Sequence, residues 1–90
     1  MNWEELEKEL LKDPKVVKEL KKLEPEYQLA RSLIGTRIKK RMTQATLAKR
    51  AQTDQASISR LESGSSKPSL TLLRKIAAAL GANLMIKFEL

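Results

Sequence analysis

Three short helices, each opened by its own capping residue, are written into the stretch Thr43 to Gly81. Thr43, Asp54 and Ser69 each have a side-chain oxygen that can accept from the free amides of a first helical turn. Behind them run three brief apolar stripes: Leu47, Ala48 and Ala51; Ile58 and Leu61; and Leu70, Leu73, Ile76, Ala77 and Leu80. The spacing of three and four residues within each stripe is that of a helix burying one face. Gly64 and Gly81 close the second and third helices, and Ser65-Ser66-Lys67-Pro68 reads as the loop between them. A chain so divided has to fold by packing short helices against one another.

The residues ahead of Thr43 follow the same logic. Asn2 opens a helix with the stripe Trp3, Leu6 and Leu10. Asp13-Pro14 and Glu24-Pro25 each stop one helix and start the next, since proline suits the first helical position. The second segment has the stripe Val16, Leu20 and Leu23. The third reads as a long helix to about Arg41, with Tyr27, Ala30, Ile34 and Ile38 on one face. Beyond Gly81 the period changes to two: Leu84, Ile86, Phe88 and Leu90 alternate with Met85, Lys87 and Glu89, which predicts a strand. A lone strand leaves its amides and carbonyls unpaired, so its partner is expected from a second molecule. The fold class expected is all-α: a five-helix repressor-like domain over residues 26–82, preceded by an amphipathic arm at 1–25 and followed by a short strand at 83–90.

Ninety residues allow one small core, and with one Trp, one Tyr and one Phe that core has to be aliphatic. There is no cysteine or histidine, no glycine-rich phosphate loop and no acidic cluster on a plausible cleft, so no catalytic constellation or metal site is expected, and no cofactor. No segment has the run of roughly 18 apolar residues that a membrane helix needs, and the acidic start is unlike a secretory signal, so a cytoplasmic protein is expected. The net charge of +7 is unevenly spread. Residues 1–29 hold six Lys against eight acids, a net of −2. Residues 30–90 hold twelve Lys or Arg against three acids, a net of +9. Such a basic body favours polyanions, nucleic acid first.

The stretch Thr43–Ser69, TQATLAKRAQTDQASISRLESGSSKPS, narrows this further. Two short helices are separated by about three residues, and the outer face of the second offers Gln55, Ala56, Ser57, Ser59 and Arg60. Small residues let a helix enter the major groove of DNA, while Gln and Arg present paired hydrogen-bonding groups to base edges. The pattern resembles the XRE, or Cro-repressor-like, helix-turn-helix family, whose best-known members serve as standard examples of this docking.

The resemblance implies roles at matching positions. Gln55, Ala56, Ser59 and Arg60 would read bases. Gln44 would bond a phosphate and steady Gln55. Ser57, the backbone of Gly64, Ser65 and Ser66, and the charges of Lys67, Lys40, Arg41 and Lys49 would hold the DNA backbone. Arg37 and Glu62 match a structural ion pair. The chain departs from the family at Gln52 and Arg41, where glycine is usual.

Ahead of that domain, LLKDPKVVKELKKLEPEYQLARSLI resembles the corresponding stretch of HigA-type antitoxins, whose partner is a small HigB-type ribonuclease of the RelE superfamily. This implies a homodimeric antitoxin that represses its own operon and neutralises the toxin through Trp3, Leu6, Leu10, Val16, Leu20 and Leu23. The alternative is a stand-alone phage-type repressor with no toxin.

Overall fold

The computed structural model describes residues 3–16 and 25–90. It contains α1 (Trp3–Leu11), α2 (Pro25–Lys39), α3 (Gln44–Arg50), α4 (Gln55–Glu62) and α5 (Leu70–Leu80), with further helical turn at 14–16. Leu20 and Leu23 lie outside the described residues.

The three expected caps are formed. Thr43 Oγ1 accepts from the Thr46 amide at 3.0 Å, Asp54 Oδ1 from Ser57 at 2.7 Å, and Ser69 Oγ from Leu72 at 3.1 Å. Each uses one of the amides that the first turn cannot satisfy internally. The carboxyl ends share a second device. After α2, α3, α4 and α5 the chain turns through a left-handed residue, and two successive amides reach back to the last turn. Gly64 and Gly81 fill that position after α4 and α5, whereas Arg41 (φ 55°) and Gln52 (φ 58°) fill it after α2 and α3. A side chain in that region costs roughly 1–2 kcal/mol, so two of the four turns are made against a steric penalty.

The helices close on an aliphatic core of Leu33, Leu47, Ala48, Ala51, Ile58, Leu61, Ile76 and Leu80. α4 packs on both α2 and α3, α3 also packs on α5, and α1 lies against α2. Leu47, Ile58 and Leu61 are fully buried, each stabilising the fold by about 1.5–3 kcal/mol relative to exposure. The buried Ala48 and Ala51 keep α3 slim, which lets its neighbours approach.

Four expectations need correction. Between residues 26 and 82 there are four helices, not five, because the chain ahead of Thr43 supplies one long helix to the domain and Gly35 does not break it. The inward face of α2 is Ala30 and Leu33, with Arg37 one turn on, while Tyr27 is about half exposed. Leu70, the first residue after the Ser69 cap, points outward. Finally, residues 82–90 form neither helix nor strand. A ladder needs a second extended segment, and none among the described residues lies beside the tail. Met85, Ile86, Phe88 and Leu90 stand exposed.

Candidate nucleic-acid interface

α4 is an eight-residue helix with two unlike faces. Ile58 and Leu61 point into the core, while Gln55, Ala56, Ser59 and Arg60 are exposed and Ser57 is half-buried. The exposed set has no bulky apolar group, so the helix surface is low and polar. Arg60 Nη2 lies 3.3 Å from Ser57 Oγ, one turn back, which steers the guanidinium along the helix surface. At the amino end, Asp54 has its pKa lowered: the Ser57 amide and hydroxyl bond its carboxylate, and Arg60 adds a weaker attraction.

The carboxyl end is fixed by a distant partner. Arg37 Nε and Nη2 donate to the two carboxylate oxygens of Glu62 at 2.7 and 2.9 Å, a bidentate pair. The side chains are only 15% and 6% exposed, so the pair is largely withdrawn from water. The remaining Arg37 nitrogen, Nη1, donates to the Met42 carbonyl at 2.8 Å, tying α4 to the turn between α2 and α3. Gln44 Nε2 also donates to Glu62, at 3.2 Å, rather than to Gln55. The half-buried Gln44 amide is therefore oriented by the ion pair, a link that sequence pattern did not expose.

The loop after α4 departs from expectation in another way. The amides of Gly64 and Ser65 are spent on the end of the helix, donating to Leu61 and Arg60 carbonyls at 3.2 Å each. The Ser65 hydroxyl is engaged with Ser63 at 2.8 Å and with the Arg60 carbonyl at 3.3 Å. The amides of Ser66 and Lys67 find no acceptor among the described residues, so those two positions, not Gly64 and Ser65, offer free donors. Gly64 itself is compelled: φ is +75°, and a Cβ there would sit 2.7 Å from Tyr27 Cδ1.

The basic residues disperse. Arg41, Lys49 and Lys67 are exposed. Lys40 Nζ lies by Gly81, 3.8 Å from where a Cβ would stand, at the negative end of the α5 dipole. In the arm, Leu6 is exposed and Val16 half-buried, Trp3 and Leu10 fall on α1, and Glu4 approaches Lys39 of α2 at 3.9 Å. No described helix is long and apolar enough to cross a membrane.

The Helix-turn-helix family profile matches residues 36–85, more than half of the chain. The chain belongs to this family. The match is to its XRE type and points to sequence-specific DNA binding and transcription regulation. The matched residues include α3 and α4, the two short helices separated by the turn at 51–54. No curated protein and no solved structure matches the chain.

Proposed function

We propose that this helix-turn-helix protein is a non-enzymatic antitoxin and operon repressor that binds operator DNA through α4 and a HigB/RelE-like ribonuclease through its arm. The division of labour is residues 1–25 for the toxin, 26–82 for DNA and 83–90 for pairing between two copies. One observation carries the DNA half: every side chain assigned to base reading is exposed on α4, while Ile58 and Leu61 are buried. Gln55 and Arg60 present bidentate groups suited to adenine and guanine edges, and Ala56 and Ser59 leave room for the helix to enter the groove. Gln44, Ser57, the Ser66 and Lys67 amides, and the charges of Lys49, Lys67 and Arg41 hold phosphates.

The charge division supports the toxin half. An arm of net −2 precedes a body of net +9, and an acidic amphipathic segment suits a basic ribonuclease groove. The exposed tail supports a homodimer. Leu84 lines an apolar cleft of about 100 Å³ between α2 and α5, continuous with the tail, and a second tail would supply the missing ladder. Two copies would then meet half-sites about 34 Å apart, or multiples of that.

Selection of duplexes from a random pool tests the DNA half. A defined half-site should emerge, and Arg60→Ala should relax the preference at one base pair at a cost of about 1–3 kcal/mol. A uniform loss over all duplexes would make Arg60 a phosphate contact instead. The toxin half is tested by co-expression with a RelE-like ribonuclease encoded beside the gene. The full chain should restore growth and a chain lacking residues 1–24 should not, while both still bind the operator.

A stand-alone repressor is the second reading. The lie of α1 against α2, with Glu4 near Lys39, favours it, because an arm packed on its own domain needs no toxin. Equal operator binding by both chains, with no protection from the ribonuclease, would establish it.

A further inference from the structure

We propose that Tyr27 is a DNA contact of this protein: its phenol hydroxyl donates to a phosphate beside the loop that follows α4. The proposal rests on the DNA-binding reading above and adds a residue from outside the helix-turn-helix unit. Tyr27 sits in the first turn of α2, ahead of the residues matched to the family. Its apolar spacing assigns it to the core, yet 48% of the residue is exposed. The ring is laid on Gly64, whose missing side chain makes room for it: a Cβ there would come within 2.7–2.8 Å of Cδ1 and Cε1. The phenol is thus held against the loop assigned to the DNA backbone.

The chemistry of that loop gives the hydroxyl a purpose. A phosphate needs donors, and the Gly64 and Ser65 amides are already committed to the end of α4. The hydroxyl of Tyr27 makes no hydrogen bond to a described residue, so it is free to donate. Tyrosine is among the side chains that bond phosphate oxygens in protein–DNA complexes. A neutral donor adds a hydrogen bond to an anion without adding charge, so it carries no counterion release of its own. Its contribution is therefore separable from that of Lys67.

Tyr27→Phe removes the hydroxyl and leaves the ring on Gly64. Binding is measured by fluorescence anisotropy on the selected duplex and on an unrelated one, across a salt series. The variant should bind both duplexes roughly 10- to 150-fold more weakly, the loss expected for one hydrogen bond to a charged acceptor. Its salt slope and melting temperature should match the parent's, whereas Lys67→Ala should lower the slope by about 1. Unchanged affinity on both duplexes overturns the proposal and leaves Tyr27 as packing alone. A loss confined to the selected duplex also overturns it, since a phosphate contact cannot discriminate sequence.

Tyr27 is the sole tyrosine, so 3-fluorotyrosine gives one ¹⁹F resonance. It should shift on adding either duplex, and a resonance that stays in place under saturating DNA counts against the contact. The two readings fail differently. If the parent binds all duplexes equally, sequence reading falls while the Tyr27 contact is still scored on any of them. If it binds none, both fall.

Discussion

The two ends of α4 are held in opposite ways. At the amino end of α4 every restraint is local and wet: the exposed Asp54 cap reaches three residues along, and the turn before it runs through Gln52 in a left-handed conformation. At the carboxyl end the restraints are distant and dry: Glu62 is gripped by Arg37 from 25 residues away, and Gly64 lies under the ring of Tyr27. Gln55 and Ala56 belong to the first end, and Arg60 lies close to the second. Local exposed contacts are cheap to break and re-form, so the amino end of α4 can adjust without disturbing the core. A part-buried ion pair holds the other end in place.

The largest effect should come from breaking the dry end. Arg37→Ala leaves the part-buried Glu62 carboxylate without its counter-ion, with only Gln44 still donating to it, and a loss of about 3 kcal/mol, the low end for breaking a buried pair, is expected. Thermal unfolding would show it as a fall of roughly 10 °C or more for a chain of this size, and an unmoved midpoint would mean that the pair holds nothing. Gly64→Ala comes next. The backbone penalty alone is about 1–2 kcal/mol, and displacement of the Tyr27 ring adds to it; denaturant titration should give a lower midpoint with an unchanged slope.

Strengthening the wet end should narrow the contrast. Gln52→Gly relieves the left-handed strain but frees the unfolded chain, for a net gain of about 0.5–1 kcal/mol, measurable as a higher denaturant midpoint. A lower midpoint would show that the Gln52 side chain makes up for its backbone.

The smallest effect concerns acid. The folded pKa of Asp54 is lowered from 3.8, chiefly by the Ser57 amide. The carboxylate cap therefore contributes fully above the unfolded value, and its contribution is lost as pH falls below about 3.8 through the folded value. Amide exchange at Ser57 should rise in that window ahead of exchange at Leu61. Simultaneous loss at both would mean that α4 opens as one unit and the contrast between its ends is false.

What was legible in the sequence divides along the same line as these restraints. Thr43, Asp54, Ser69, Gly64 and Gly81 mark helix ends through groups within a few residues, and the expected caps formed where they stood. The inward face of α2 was not legible, because Leu29, Ala30, Leu33, Ile34 and Ile38 spread over half its circumference and more than one stripe fits. Its orientation follows from Arg37 reaching Glu62, a contact that no local window contains. For the same reason the Gln44 bond to Glu62, and the commitment of the Gly64 and Ser65 amides, emerge only in three dimensions. The tail was readable as a pattern but not as a structure, since no second extended segment among the described residues lies beside it to form a ladder.

The exposed side chains of α4 owe nothing to the core, and the core owes nothing to them. Ile58 and Leu61 keep the helix in place whatever stands at positions 55, 56, 59 and 60. Substitutions there are nearly neutral for folding, as exposed helix positions generally are. On the base-reading role proposed above for these positions, a lineage carrying this scaffold could change the promoters it addresses one residue at a time, without passing through an unstable ancestor. Heritable change in regulatory wiring is, in this molecule, uncoupled from the risk of losing the fold.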